Sequence, residues 1–239
     1  MNEERDTLYS GLQLVNPGET APAHKHVAFA LRYIIEGEGG FTAVDGKKMY
    51  MTKGDVILTP SMTWHDHGHE GTGPLIWLDG IDLPLYQSLP TNFAQNYHEP
   101  RYPSTVSTDQ PDWQFPWAPI KAQLDADPSP HASYEYKKKD GNYISRTLGA
   151  QAERIKAGVE TLPSRSTCSF IYHCPEGKGV TRVVEPNGNT TSLDWGQDDT
   201  FAIPAWSQIT HKVGSDADAY LFAITDKPML EALGMYRLE

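Results

Sequence analysis

One stretch of the sequence decides the fold, residues 18–69: GETAPAHKHVAFALRYIIEGEGGFTAVDGKKMYMTKGDVILTPSMTWHDHGH. It holds five of the nine histidines of the chain. Near its start, His24 and His26 are separated by one residue. Side chains at positions i and i+2 of a β-strand point to the same face, so both imidazoles can reach one metal ion. The start of the stretch therefore predicts a strand that carries two ligands of a metal site.

The end of the same stretch predicts a second strand that returns to the first. A glycine precedes an apolar run that stops at Pro60, which is typical of a tight turn followed by a buried strand. Between the two ends, Asp45-Gly46 separates two extended runs, and this is the strongest local signal for a β-hairpin. A hairpin brings the later strand beside the earlier one, so His65 can join the first two histidines.

The spacing of these residues resembles known sequence motifs. Gly18-x5-His24-x-His26 and Gly54-x5-Pro60-x4-His65 are similar to the two cupin motifs. Three longer blocks, AHKHVAFALRYIIEG at 23–37, GDVILTPSMTWHDHG at 54–68 and LIWLDGIDLP at 75–84, resemble the gentisate 1,2-dioxygenase family. Salicylate 1,2-dioxygenase and 1-hydroxy-2-naphthoate dioxygenase are near relatives of the same type. The resemblance covers nearly the whole chain, most strongly residues 8–89.

Composition limits the classes of function. The chain has 239 residues and a formal net charge of −11, which argues against nucleic acid as a general partner. No apolar run approaches the length of a membrane helix, and the first residues, MNEERDTLYS, are polar and acidic rather than typical of a signal peptide. We therefore expect a soluble cytoplasmic protein. Cys168 and Cys174 are predicted to be buried thiols rather than a disulfide.

Short strands separated by glycine, proline and Asp-Gly turns predict an all-β protein. The resemblance implies a bicupin, that is, two double-stranded β-helix (jelly-roll) barrels with a short helical linker. We place a metal-binding first cupin in residues 1–90 and the linker in residues 91–142. A degenerate, metal-free second cupin with the C-terminal tail occupies residues 143–239. The helix of the linker is expected over residues 120–126, with Pro119 near its start.

The second half repeats the spacing of the first half without its metal ligands. Gly158-x5-Ser164-x-Ser166 copies the first motif, and alignment of the two halves puts Ile209 at the position of His65. Serine hydroxyls are poor ligands, and isoleucine offers no donor atom. An internal duplication in which one half lacks the metal ligands fits a bicupin. We therefore expect one metal ion per chain.

Three neutral imidazoles, from His24, His26 and His65, can bind zinc or iron, so ligand type alone does not select the metal. Many cupins add a glutamate a few residues after the His-x-His pair, but the apolar residues 28–31 stand there. This agrees with the dioxygenase family, which uses three histidines, and the resemblance implies Fe(II). The remaining histidines, apart from His67, are expected to be structural: His69, His98, His131, His173 and His211.

A charge in an apolar strand predicts the substrate site. The charge of Arg32 needs a partner, either Asp79 or a substrate carboxylate, and the resemblance favours the substrate. Trp77 either packs in the core or forms a wall for an aromatic ring, and Asp79 either orients a ring hydroxyl or pairs with Arg32. Gln13 matches a pocket position of the family, and His67 is a proton relay, a supporting group or an exposed residue. The predicted catalytic residues are Arg32, Asp79 and His67, and the predicted substrate-binding residues are Gln13, Arg32, Trp77 and Asp79.

The resemblance implies an Fe(II)-dependent, extradiol-type dioxygenase of aromatic compound catabolism. With O2 it would open gentisate, or a similar hydroxybenzoate, between the carboxyl-bearing and adjacent hydroxyl-bearing carbons, giving maleylpyruvate from gentisate. It also implies a homo-oligomer, with a tetramer expected. Family members begin well upstream of residue 8 and use that segment in the pocket. Either the chain is a fragment of a longer protein or it is a natural short form with an open pocket. The alternative function is therefore a non-enzymatic or differently reactive metal-binding cupin, whose activity is lost or altered by the short N-terminus.

Overall fold

The computed structural model describes residues 7–109 and 111–239, and it divides the chain into two compact units. The first unit ends at Trp117, and the second begins at Ala118. Most of the regular structure is β-strand, which confirms the all-β prediction. Among these residues, no helix has the length and apolar character needed to cross a membrane. Cys168 and Cys174 are buried free thiols, as predicted.

Two sheets make up the first unit. Its elements are β1 (Tyr9–Val15), β2 (Thr20–His26), β3 (Ala30–Glu36), β4 (Gly40–Val44), β5 (Lys47–Tyr50), β6 (Val56–Thr59), β7 (His65–His69), β8 (Leu75–Ile81), α1 (Leu83–Ser88), β9 (Ala94–Asn96), β10 (Thr105–Val106) and β11 (Gln114–Phe115). One sheet has the strand order β1-β8-β3-β6-β11, and the other has the order β10-β5-β4-β7-β2-β9. The neighbours along these orders are mostly distant in the sequence, as in a jelly roll.

The predicted hairpin is formed by β4 and β5. Its turn residues Asp45 and Gly46 have φ values of 48° and 79°, and two consecutive positive values are what a type I′ turn requires. β4 also pairs with β7, with Val44 opposite His65. The hairpin thus fixes the register of the strand that carries the third histidine.

The turn before β6 requires glycine. Gly54 has a φ of 87°, and a Cβ atom at this position would lie 2.7 Å from Cγ of Trp117. Both the backbone conformation and the lack of space exclude a side chain there. All four residues of β6 are buried, which confirms the buried strand predicted before Pro60.

The two sheets of the first unit enclose an apolar core. One sheet contributes Ile34, Ile57 and Trp77, and the other contributes Val44 and Met49, all at most 3% exposed. Full burial of an aliphatic side chain contributes about 1.5–3 kcal/mol. This core holds the sheets together beside the cavity that carries the polar residues.

The second unit is also built from two sheets. Its elements are α2 (Trp117–Ala126, which begins at the last residue of the first unit), β12 (His131–Glu135), β13 (Gly149–Ile155), β14 (Ser164–Arg165), β15 (Phe170–Glu176), β16 (Lys178–Val184), β17 (Thr190–Gly196), β18 (Thr200–Ile203), β19 (Gln208–Val213), β20 (Ala219–Thr225) and α3 (Lys227–Ala232). The strand orders are β12-β13-β20-β15-β18 and β14-β19-β16-β17. The helix expected over residues 120–126 is present as α2.

Strand pairing in the two units follows the same register. His24 lies opposite His65 in the first unit, and Ser164 lies opposite Ile209 in the second. Likewise β1 pairs with β8 as β13 pairs with β20, and β4 pairs with β7 as β16 pairs with β19. The internal duplication read from the motif spacing therefore has a counterpart in the three-dimensional pairing.

The segment predicted as a linker, residues 91–142, also supplies strands to the sheets. β9, β10 and β11 lie at edges of the first unit's sheets, and β12 lies at an edge in the second unit. Edge strands satisfy backbone groups that the neighbouring strands would otherwise expose. The division observed at residue 117 thus lies inside this segment, and independent domains at residues 1–90 and 143–239 stay a prediction.

Candidate metal centre and substrate pocket

Strands β2 and β7 bring three histidines together. The ring centroids lie 4.3 Å apart for His24 and His65, 4.8 Å for His26 and His65, and 5.5 Å for His24 and His26. One ligand nitrogen from each residue lies within 4.8 Å of the other two. A register shift between Ala21 and His24 precedes the pair, and such bulges commonly re-aim side chains beside functional sites. In the described part of the chain, this is the only cluster of three such side chains that could hold a metal.

A backbone carbonyl accepts a hydrogen bond from Nδ1 of each histidine. The pairs are His24 with Pro22 (2.7 Å), His26 with Ala28 (2.7 Å) and His65 with Thr63 (2.9 Å). Because a carbonyl can only accept, each Nδ1 carries the hydrogen and each Nε2 presents a lone pair. Nε2 of His65 is buried and has no hydrogen-bond partner among the described residues. Three neutral imidazoles with their Nε2 lone pairs free fit a divalent transition metal.

Burial keeps the imidazoles of His26 and His65 neutral. It lowers the pKa of His65 to about 2, with the charge of Arg32 acting in the same direction. Burial likewise lowers the pKa of His26 below its usual value. The neutral imidazole is the form that binds a metal, so the site is ready for one at physiological pH.

The opposite sheet supplies the other predicted residues. Arg32 on β3 lies opposite Asp79 on β8, and Gln13 on β1 lies opposite Trp77 on β8. These four residues line a cavity of about 520 Å³ together with His24 and His67. The pocket thus has His24 of the triad and His67 on one sheet, and polar and aromatic groups on the facing sheet.

Arg32 is a buried cation with protein partners. Its Nε atom lies 3.3 Å from Oδ1 of Asp79, and its Nη1 atom donates to Oγ1 of Thr59. Oδ1 of Asp79 also accepts a hydrogen bond of 3.0 Å from Nε1 of Trp77. Burial lowers the pKa of Arg32 and raises the pKa of Asp79, and in each case the opposite charge of the partner counteracts the shift. Of the two partners expected for Arg32, the structure therefore contains Asp79, while Arg32 also lines the cavity.

His67 lies two residues beyond His65 and also lines the cavity. Its Nδ1 atom lies 2.9 Å from Oγ1 of Thr42, whose hydroxyl donates to the sulfur of Met51. With the threonine hydrogen used in this way, Nδ1 of His67 is the donor and Nε2 is the acceptor. Nε2 is buried without a hydrogen-bond partner in the described residues. The ring centroid of His67 lies 5.5 Å from that of Trp77, so His67 lies beside the tryptophan of the pocket.

Comparison with known proteins identifies the family. A family model described as a cupin domain matches residues 11–81. A 5-aminosalicylate 1,2-dioxygenase from Comamonas sp is 34% identical over 97% of this chain and 68% of its own length. The gentisate 1,2 dioxygenase 1 of Aquipseudomonas alcaligenes is 32% identical over 97% of this chain and 73% of its own length. The chain belongs to this family of aromatic 1,2-dioxygenases.

The solved structures agree with the assignment to the dioxygenase family. A salicylate 1,2-dioxygenase from Pseudaminobacter salicylatoxidans superimposes with a TM-score of 0.85 at 27% sequence identity. The match covers 98% of this chain and 74% of that chain. Because it spans both units, the predicted bicupin fold is confirmed.

In this dioxygenase the predicted site residues lie together. The triad consists of His24, His26 and His65, and the remaining predicted residues line the cavity beside it: Gln13, Arg32, His67, Trp77 and Asp79. Sequence reasoning missed Thr42 and Thr59, which hydrogen-bond His67 and Arg32. Thr42 could have been found from the duplication, because the second unit has a threonine paired with a histidine at the same register.

Proposed function

We propose that this dioxygenase opens the ring of a 2-hydroxybenzoate, with gentisate as its first candidate substrate. The bond broken is the one between the carboxyl-bearing carbon and the adjacent hydroxyl-bearing carbon, and both atoms of O2 enter the product, which is maleylpyruvate for gentisate. The observation that carries the proposal is a cluster of three histidines, one of which, His24, lines a cavity together with a buried arginine and a tryptophan. The named relatives act on gentisate, salicylate and 5-aminosalicylate, which share a carboxylate next to a ring hydroxyl.

His24, His26 and His65 would hold the metal, which we infer to be Fe(II) from the family resemblance. The fixed Nδ1–H groups support this role, since each carbonyl partner holds its ring in the orientation that presents Nε2. When bound, Fe(II) supplies Lewis acidity toward the substrate oxygens and the redox chemistry with O2. The role of the three histidines is to provide neutral ligands for the metal.

Arg32 binds the substrate carboxylate in this proposal. Its guanidinium has five N–H donors, of which the Nε and Nη1 groups face Asp79 and Thr59. Those two contacts fix the plane of the guanidinium, so its remaining donors are held at the cavity before substrate arrives. Asp79 then acts as the partner that keeps the buried arginine charged and oriented.

His67 accepts a hydrogen bond from the ring hydroxyl that lies next to the carboxylate. The acceptor atom is Nε2, because Thr42 fixes the hydrogen on Nδ1. Trp77 supplies the wall against which the ring lies, and Gln13 supplies an amide at the rim for a further ring substituent. Together these residues orient the ring so that its carboxyl-bearing carbon faces the metal site.

The test is O2 consumption by the Fe(II)-loaded protein with gentisate, salicylate and 1-hydroxy-2-naphthoate in parallel. Gentisate is expected to consume one O2 per molecule and to give a ring-opened dicarboxylate detectable by mass spectrometry. The Zn(II)-loaded protein is the matched control and should consume none, because zinc has no accessible redox change. Lack of O2 uptake with all three acids, in protein that has bound iron, would refute the proposal and favour the alternative of a metal-binding cupin without this activity.

We also infer a homo-oligomer, with a tetramer expected, and a cytoplasmic location. The oligomer rests on the family resemblance, and the location rests on the two buried free thiols, which fit a reducing compartment. Light scattering after size-exclusion chromatography would measure the first directly. A single-chain mass of 26.6 kDa at all concentrations would contradict it.

A further inference from the structure

A separate cavity of about 740 Å³ lies within the second unit. Its walls include residues of β13, β14, β15 and β19. These strands correspond by pairing to β1, β2, β3 and β7, which carry the residues of the first pocket. The duplicated fold therefore retains a pocket where the metal ligands have been replaced.

The polar residues of this cavity differ from those of the first pocket in charge. By strand register, Glu153 replaces Gln13, since it lies on β13 opposite β20 as Gln13 lies on β1 opposite β8. In the same way, Tyr172 replaces Arg32. The buried cation of the first pocket is thus absent at the equivalent position, and a buried carboxylate has been added.

Glu153 is 3% exposed and is surrounded by donors. Its two oxygens accept hydrogen bonds from Nε2 of His131 at 2.6 Å and from Gln151 at 2.7 Å. The hydroxyl of Tyr172 is a further partner. Lys227 also lines the cavity, and its Nζ atom lies 3.0 Å from a carboxylate oxygen of Glu135. A ligand carboxylate would therefore meet Glu153 without an unpaired cation to neutralise it.

His211 presents a hydrogen-bond donor to the cavity. Its Nδ1 atom lies 2.7 Å from Oγ1 of Thr181, and the same oxygen accepts a hydrogen bond of 2.8 Å from Nε1 of Trp195. Because the tryptophan N–H can only donate, the threonine hydrogen is directed to Nδ1 of His211. Nε2 of His211 then carries a hydrogen. That atom is buried, lines the cavity and has no hydrogen-bond partner among the described residues.

A second polar group faces the same space. Ser207 is 4% exposed, and its hydroxyl has no hydrogen-bond partner in the described part of the chain. A buried polar group without a partner is unfavourable, and a ligand oxygen would provide that partner. Apolar and aromatic side chains also line the cavity, among them Phe170, Ile203 and Ile209. The site therefore offers hydrogen bonds to oxygen at one part and an apolar surface to a ring at another.

We propose that this second cavity binds a small neutral phenol, with one oxygen of the ligand accepting from Nε2–H of His211 and another oxygen bonding to the Ser207 hydroxyl. The ring packs against Phe170, Ile203 and Ile209. Glu153 excludes ring acids, so the two cavities of one chain differ in ligand class: a hydroxybenzoate in the first and an uncharged hydroxylated ring in the second.

Hydroquinone is the probe, because it is gentisate without its carboxylate. It is titrated by calorimetry into the Fe(II)-loaded full chain, which is kept without O2 and saturated with gentisate so that the first cavity is filled. We expect one hydroquinone bound per chain. Absence of saturable binding, or loss of binding on saturation with gentisate, would overturn the proposal, since the second result means that the cavity accepts the carboxylate as well.

Two variants assign the binding to the named residues. His211→Leu should weaken hydroquinone binding at least tenfold, and the isosteric change Ser207→Ala should weaken it several-fold. His98→Leu is the matched control and should bind as the unmodified protein does, because His98 does not line this cavity. Circular dichroism checks that each variant is folded, and Ser207→Ala carries the test if His211→Leu is not. Unchanged affinity in the folded variants would overturn the assignment.

Discussion

The two units place a threonine–histidine pair at the same register, yet the histidine Nε2 atom has the opposite hydrogen-bonding role in the two cavities. In the first unit, Thr42 donates to Met51 and leaves Nε2 of His67 as an acceptor. In the second unit, the oxygen of Thr181 accepts from Trp195, and Nε2 of His211 becomes a donor. A third residue, outside the pair, sets the chemistry of the histidine. The comparison shows that one neighbouring side chain can reverse the hydrogen-bonding role of a histidine while the strand register stays the same.

The units keep their structural residues more closely than their pocket residues. Asp82 accepts a hydrogen bond of 2.7 Å from the backbone N–H of Phe29, and Asp226 accepts one of 3.0 Å from the backbone N–H of Ser169. Asp82 directly follows β8, and Asp226 directly follows β20. Each of them precedes a short helix that has proline in its first turn. Such contacts connect distant parts of the chain, so they hold the fold whichever ligand the pocket has.

The largest expected difference between the units concerns the metal. His24→Ala should remove bound iron and all ring cleavage, because two imidazoles cannot complete the site. Ser164→Ala, at the equivalent position of the second unit, should leave iron content and turnover unchanged. Elemental analysis of both reconstituted variants measures this. Full iron content in His24→Ala, or about two iron ions per chain in the unmodified protein, would show that the division of roles is wrong.

The next effect concerns substrate binding. Arg32→Ala should lower kcat/KM without changing iron content. The loss of transition-state stabilisation should be roughly 1.5–3 kcal/mol or more, the value of a lost charge-assisted hydrogen bond. Arg32→Lys keeps the charge but loses the planar fork, so an intermediate kcat/KM is expected. Steady-state kinetics with gentisate measures both. Normal turnover by folded Arg32→Ala would leave Arg32 as a structural partner of Asp79 only.

A smaller effect tests the shared structural residues. Asp82→Ala and Asp226→Ala each leave a backbone N–H without its acceptor, which costs about 1–3 kcal/mol. Each kcal/mol corresponds to roughly 2–4 °C in Tm for a chain of this size. We therefore expect similar losses of Tm in calorimetry for the two variants. A loss confined to one of them would show that the correspondence of the two carboxylates is only geometric.

The smallest expected effect is the pH dependence of the second unit. The hydrogen bond from His131 to Glu153 raises the pKa of His131 above 6.5 and outweighs its burial. Burial acts to raise the pKa of Glu153, but the hydrogen bond from His131, the electrostatic effects of His211 and His131, and the hydrogen bond from Gln151 together outweigh it, so the pKa falls below 4.5. The stability from His131 is complete below pH 6.5 and is lost as pH rises through its raised pKa. The stability from Glu153 is complete above pH 4.5 and is lost as pH falls through its lowered pKa.

The difference in Tm between the unmodified protein and His131→Gln should therefore be largest between pH 4.5 and 6.5 and should shrink on both sides. It should amount to only a few degrees, because His131 is partly exposed and solvent screens the pair. Thermal unfolding across this pH series measures it. A difference that does not vary with pH would show that the two residues act by packing rather than by charge.

The sequence alone predicted the elements that depend on local patterns. The Asp45-Gly46 turn specified a hairpin because its two residues tolerate positive φ values. The His-x-His pair specified two ligands on one strand face because of the strand period of two. The loss of all three ligands in the second half was visible because motif spacing does not depend on contacts.

Tertiary structure alone decided the chemistry of the individual atoms. Backbone carbonyls fixed which nitrogen of His65 faces the metal site, and Met51 and Trp195 fixed the direction of the two threonine–histidine bonds. The Thr63 carbonyl lies only two residues from His65 but meets the ring only in the folded turn, and Met51 and Trp195 lie 9 and 14 residues from the threonines that they contact. No sequence motif records such contacts, because they depend on how the strands pair. The pairing of Arg32 with Asp79 was an open alternative in the sequence for the same reason: strands β3 and β8 are neighbours only after the sheet has formed.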